Sequence, residues 1–174
     1  QVVVDKNATV PQVKDLILNQ KALNPKLKTL FIIGHVIVPY AGNDAYDGHP
    51  DHIGAWPADS YYADLDGTWT DDSVDNTDAG RTENKNSIGD GKFDQAYIPS
   101  DLELEVGRVD FFNMPAFLKN EIQLLRQYFD KDHKFRTGQI KARRRGVVLD
   151  NFNFQNEGFA QSGYRACSAF FGPD

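Results

Sequence analysis

The chain has 174 residues, a formal net charge of −6 and a pI near 5.1. That is enough length to bury a sizeable core and the wrong charge balance for a nucleic-acid partner. No apolar run approaches the ~20 residues that span a bilayer, and a single cysteine, Cys167, excludes a disulfide framework and a thiolate metal site.

Gln1 to Val4 is a β-branched run that reads as a strand. No charged leader or signal h-region stands before it, so the ordered region is expected to begin after a removed or unseen N-terminal segment. Thr9-Val10-Pro11 starts a helix with proline in its first turn, Val10, Val13, Leu16 and Ile17 repeat at helical spacing, and Asn24-Pro25 ends it. Leu30 to Ile33 reads as a second, buried strand that ends in Gly34-His35. The chain therefore opens as β-α-β.

A loop of about residues 41–98 follows, and most of the acidic excess lies in it. Loops of that length inside a compact domain are usually functional or disordered. Here the acids alternate with Trp56, Tyr61, Tyr62, Trp69 and Phe93, aromatics that a disordered segment lacks. An ordered loop with crowded carboxylates needs cations, and hard cations take several oxygens around glycine turns. Asp64-x-Asp66-Gly67 with Asp71 and Asp72 is one such cluster, and Asp90-Gly91-x-x-Asp94 is a second able to fold against it. The expected ligands for calcium are thus Asp64, Asp66, Asp71, Asp90 and Asp94. Neither cluster is an EF-hand: in the first the glycine follows the second acid too soon, and in the second Ile88 occupies a ligand position. Two alternatives stay open, a solvated acidic loop without an ion and zinc held by His49 and His52.

Leu102 to Val109 reads as a third strand, with Leu102, Leu104 and Val106 alternating against Glu103 and Glu105 on a wet face. Asn113-Met114-Pro115 is expected to start a second helix, striped by Leu118, Ile122, Leu125 and Phe129. The basic run Lys141 to Arg145 leads into a fourth strand, Gly146 to Leu149. The fold class is therefore α/β, a mostly parallel sheet with flanking helices and right-handed crossovers, burying Leu16, Ile17, Ile32, Ile33, Leu125 and Val148. Residues 1–174 form one such domain or the N-terminal part of one. Beyond Asp150 the periodicity weakens, although Gly158 to Phe171 fits a last helix with Phe159, Tyr164 and Cys167 inward.

Ligands of open parallel sheets gather at the carboxyl ends of the strands, where this chain offers His35, Arg108 and Asp150. His35 has the chemistry of an acid or base, and Arg108 that of a carboxylate clamp. The preferred reading is structural for both: His35 holds the loop by a hydrogen bond, and Arg108 pairs with a loop aspartate. Cys167 lies in an apolar context and reads as a core residue. No G-x-S-x-G elbow, phosphate loop, G-x-G-x-x-G fingerprint or H-E-x-x-H helix is present.

Three blocks, TLFIIGHVIVPYAG, PADSYYADLDGTWTDD and ELEVGRVDFFNMPAF, stand in that order between Val2 and Asp150. Together they resemble the first half of the gingipain-type cysteine peptidase domain, which has a caspase-like fold. The DGHPDHIGAWPADSYYADLDG block is closer still to bacterial proteins of that broad group. The resemblance implies a caspase-like fold, a secreted bacterial setting at or outside the cell surface, and use of calcium. It assigns no catalytic residue here. The family's histidine lies in a His-Gly turn on a later strand, whereas His133 is followed by Lys134, and Cys167 comes too early for the nucleophile. The partner it implies is the C-terminal remainder of the same domain or a second copy of the chain, completing the unfinished sheet. A reading from a different class is a non-catalytic extracellular module whose acidic-aromatic loop contacts a glycan or another surface protein.

Overall fold

A computed structural model describes residues 1–45, 48–141, 153–154 and 157–172. They fall into two compact units, Gln1–Arg126 and Gln127–Asp174. Among the described residues no helix is long and apolar enough to cross a membrane.

The first unit is built around helix α1, Val10–Leu23. Its start is fixed by a capping box in which Thr9 Oγ1 accepts from the Gln12 N–H at 3.4 Å while the Gln12 side chain accepts from the Thr9 N–H at 2.8 Å. α1 buries Val10, Val13, Lys14 and Ile17. Strand β1, Thr29–Ile33, pairs in parallel with β4, Glu105–Val109, from Thr29 opposite Glu105 to Ile33 opposite Val109. Between them the long loop contributes a short antiparallel pair, β2 (Tyr40–Ala41) with β3 (Trp56–Pro57), and a one-turn helix α2, Ser60–Ala63. The core joins Val10, Val13 and Ile17 of α1 to Ile32, Tyr61, Tyr62, Ala63 and Leu104. Tyr61, Tyr62 and Ala63 of the loop are thus part of the core.

Helix α3, Glu121–Arg136, crosses the division between the units. The second unit also holds an antiparallel pair, β5 (Asn153–Phe154) with β6 (Glu157–Gly158), and helix α4, Phe159–Phe171.

The architecture is mixed α/β, with α1, β1, the loop and β4 in the expected order, and several local expectations are corrected. Gln1 to Val4 is in no strand, and Val3 is 87% exposed. The third strand begins at Glu105 rather than Leu102, because the N–H groups of Glu103 and Leu104 both donate to Ala63 O at the end of α2. The second helix starts at Glu121, not near Met114: Asn120 and Gln123 close a reciprocal cap there, and Asn113 takes a positive φ of 48° that breaks the helix upstream. Leu118 and Ile122 are exposed, and Leu124 rather than Leu125 is buried on α3. Ile17 and Ile32 are buried as expected, Leu16 is half-buried, and Ile33 is exposed on the sheet face opposite Ile32. On α4, Tyr164 is exposed and Cys167 half-buried. The expected fourth strand Gly146 to Leu149, with Val148, most of the basic run and Asp150, lies outside the described residues.

Candidate metal centre

The turn that leaves α2 carries Asp64-Leu65-Asp66-Gly67. Asp64 N–H donates to Ser60 O at 2.8 Å, which ends the helix and turns the Asp64 side chain into the interior, where it is fully buried. Three donors surround that carboxylate: Gly67 N–H at 2.8 Å, Ser100 Oγ at 2.6 Å and Trp69 Nε1 at 3.0 Å. Gly67 is required by close approach, since a Cβ on it would lie 2.6 Å from the Asp64 carboxyl carbon. The indole donor is held in place by edge contacts with the Tyr61 and Phe93 rings, each at 5.5 Å between centroids. The aromatics interleaved with the acids are therefore the scaffold of the site.

Asp64, Asp66 and Glu103 each place a carboxylate oxygen within 4.8 Å of the others. Asp64 is buried, Glu103 half-buried and Asp66 exposed, so the group opens to solvent on one side. Glu103 arrives from the segment before β4 and is fixed by the Leu65 N–H, which donates to its Oε2 at 2.5 Å. Ser100 Oγ lies within 2.6 Å of Asp64 and 2.8 Å of Asp66. A hydroxyl carries one proton, so it satisfies one of these two carboxylates at a time.

Lys14 approaches from α1. It is buried, donates to Tyr61 O at 2.5 Å and to Asp64 O, and its ammonium lies 4.6 Å from the centre of the Tyr61 ring. Burial lowers its pKa, and the charges of Asp64, Glu103 and Asp66 offset only part of that. Burial works against ionisation of Asp64 as well, yet the hydrogen bonds from Ser100, Gly67 and Trp69 and the charge of Lys14 outweigh it, so the carboxyl sits below its ordinary range. Three carboxylates against one ammonium leave two negative charges. All the charged ligand atoms are oxygens, the donor set of a hard divalent cation.

The remaining acids expected in the same site are used differently. Asp71 accepts from the Gly89 and Gly91 N–H groups at 2.8 and 2.7 Å. Asp90 accepts from the Ser87 and Lys92 N–H groups at 3.1 and 2.9 Å and pairs with the Lys92 ammonium at 3.1 Å. Asp94 accepts from the N–H groups of Asp72, Ser73 and Val74, and from Thr70 Oγ1 at 2.7 Å. These three aspartates tie the loop to itself. Among the described residues, the one group of three or more potential ligands that meets the 4.8 Å spacing is Asp64, Asp66 and Glu103. His49 and His52, whose ring centroids are 5.2 Å apart, belong to no such group.

At the strand ends His35 and Arg108 also find partners. His35 Nδ1 lies 2.9 Å from Asp110 Oδ2, and its ring stacks on Phe112 at 3.9 Å, so its anchor is the segment after β4 rather than the start of the loop. Arg108 forms a fork with Asp59, the loop aspartate before α2, and donates to Val36 O at 2.6 Å. Burial disfavours the guanidinium charge, and Asp59 more than restores it. Arg108 thus pairs with a loop aspartate as expected, whereas the expected hydrogen bond from His35 to the start of the loop is replaced by the one to Asp110. Asp150 lies outside the described residues.

Glu103, Ser100 and Lys14 escape sequence reasoning because they lie far along the chain from Asp64. The alternation around Glu103 signals a wet strand face; the bond from Leu65 instead draws Glu103 to the turn.

Comparison with models of known protein families, with curated proteins and with solved structures finds no match to this chain. The class that fold and site define is a mixed α/β protein with an acidic, all-oxygen group able to hold a metal ion.

Proposed function

We propose that the chain is the N-terminal portion of a secreted, caspase-like domain of gingipain type, and that calcium bound by Asp64, Asp66 and Glu103 ties the loop to the segment entering β4. The observation that carries the metal reading is the residual double negative charge of a half-open carboxylate trio whose one internal ammonium is Lys14. A calcium ion takes 6–8 oxygens, and its role here is structural: it neutralises the trio and cross-links two distant stretches of chain. The family reading rests on the order of the three sequence blocks, with the catalytic pair supplied by sequence beyond this chain. Asp71, Asp90 and Asp94 then act as internal clamps of the loop.

Calorimetric titration of the chelator-treated chain with calcium tests the metal. One site is expected, stabilising the fold by about 2.7 kcal/mol at a hundred times the dissociation constant, and Glu103→Gln should weaken it at least tenfold. No heat of binding and an unmoved thermal midpoint reject calcium. The family reading is tested separately by the parent gene, where a His-Gly turn and a downstream cysteine are expected after Asp174.

A second reading, contact with a glycan or a surface protein, is favoured by one feature of the loop. His52 packs against the edge of Trp56 at 6.1 Å, and the Arg81 guanidinium lies 6.0 Å from the Trp56 ring centre, an aromatic and cationic patch. Quenching of Trp56 fluorescence by oligosaccharides, without loss of calcium binding, would favour it.

A further inference from the structure

The segment before α1 reads Asp5-Lys6-Asn7-Ala8-Thr9. Asparagine followed two residues later by threonine, with a residue other than proline between them, is the acceptor pattern for N-linked glycan transfer. No other asparagine in the chain has serine or threonine two residues on. Asp5 places an acid two residues before the asparagine, the extended form of the pattern that bacterial transferases take. A match this short arises by chance in many chains, so the geometry of the segment decides whether it can act.

Ala8 N–H donates to Asp5 O at 3.0 Å and closes a turn that carries Asn7. Asparagine in a turn commonly spends its side chain on a nearby backbone group. Here Asp5 takes that role, since its Oδ1 accepts from the Asn7 N–H at 2.8 Å, and the Asn7 side-chain amide makes no hydrogen bond among the described residues. Asn7 and Thr9 are both exposed. Thr9 Oγ1 accepts from the Gln12 N–H in the capping box, which occupies a lone pair and leaves the hydroxyl proton to donate. Residues 1–9 are in no helix or strand, and of them only Val4 and Ala8 pack, in part, on the core, which begins with Val10. The acceptor segment is therefore able to bend into an enzyme cleft while α1 stays packed.

We propose that Asn7 is an acceptor site for an N-linked oligosaccharide on the folded chain. The donor is an oligosaccharide carried on a polyprenyl diphosphate, and the catalyst is a membrane-bound oligosaccharyltransferase. The anomeric carbon breaks its bond to the diphosphate oxygen and bonds to Asn7 Nδ2; the amide gives up one proton, polyprenyl diphosphate leaves, and nothing is oxidised or reduced. A glycan there hydrates a stretch that otherwise exposes Val2 and Val3. The inference rests on the secreted setting proposed above, and on neither the metal nor the caspase-like fold.

The test incubates the purified full chain with a purified bacterial oligosaccharyltransferase and a polyprenyl-diphosphate-linked oligosaccharide, and reads the product by intact-protein mass and by peptide mapping. A gain of one oligosaccharide, located on Asn7, is expected, and Asn7→Gln should lose it. Thr9→Asp should lose it as well without moving the thermal midpoint, because aspartate also caps a helix, whereas Thr9→Ser should keep it. Transfer to the capped peptide VVDKNATVPQ but not to the chain overturns the proposal, since the folded segment is then closed to the enzyme. Transfer to neither overturns it too, and so does a gain that survives Asn7→Gln. The assay needs no export, so fractionation of cells expressing the parent gene judges the secreted setting by itself. A cytoplasmic location rejects that setting and with it the glycan on the native chain, whereas failed transfer to an exported chain rejects the acceptor site alone.

Discussion

Arg108 and Asp59 meet as a two-pronged pair, Nε to Oδ2 at 2.7 Å and Nη2 to Oδ1 at 2.7 Å. The pair fastens β4 to the residue before α2, while the third guanidinium nitrogen holds Val36 O at 2.6 Å after β1. Its side chains are 15% and 24% exposed, so it is more than a surface ion pair and less than a buried one. Asp59→Ala is expected to cost about 2 kcal/mol in urea denaturation, since charge-assisted bonds are lost and the guanidinium keeps only backbone carbonyls. A variant as stable as the parent would show that the fork contributes nothing.

Lys14 is the built-in counter-charge of the carboxylate trio, and its removal should separate the energetics of the empty and loaded site. Lys14→Met is expected to destabilise the calcium-free chain by about 2 kcal/mol, through lost bonds to Tyr61 O and Asp64 O and uncompensated carboxylates. Calcium should then raise the thermal midpoint by more than in the parent, because the trio carries its full charge. An equal calcium increment in both proteins would place the ion elsewhere.

Gly67 and Gly89 should respond differently to alanine. At Gly67 the added Cβ meets the Asp64 carboxyl, itself fixed by three donors, so a loss of about 3 kcal/mol together with the calcium response is expected. At Gly89 nothing lies within 4 Å, but φ is +78°, so the cost should be about 1 kcal/mol with calcium binding retained. Thermal melts with and without calcium distinguish the two.

The loop clamps predict an acid limb of stability. Burial opposes ionisation of Asp94, yet the N–H groups of Asp72, Val74 and Ser73 and the Thr70 hydroxyl hold its carboxyl well below the usual carboxylate range. Asp64 and Asp90 are lowered as well. An unfolded aspartate titrates near pH 3.9. A folded value below that gives stability that is complete above it and is lost as pH falls through the folded value. The thermal midpoint, measured without calcium, should be flat from about pH 7 to 5 and decline below about pH 4, and Asp94→Asn should shallow that decline. An unchanged slope in the variant would assign the acid limb to other groups.

The division between sequence and tertiary structure runs through particular residues. α1 was legible because its information is local: Thr9, Pro11 and Gln12 set its start and Asn24 its end within a few residues. β1 was legible as an apolar run, and the order of the loop followed from aromatics that the structure stacks as Tyr61, Trp69 and Phe93. The start of α3 departs from the sequence pattern because apolar periodicity from Leu118 onward competes with the cap at Asn120, and the cap prevails by satisfying backbone donors directly. Sequence determined that acids and oxygen donors crowd one loop. Only the tertiary structure decided which acids converge, because Asp71 and Asp94 accept from backbone N–H groups 18 to 22 residues away within the loop, whereas Asp64 and Asp66 meet Glu103 through contacts that span more than thirty residues. A carboxylate takes the nearest donors the fold offers, and that choice is a property of three-dimensional distance rather than of spacing along the chain.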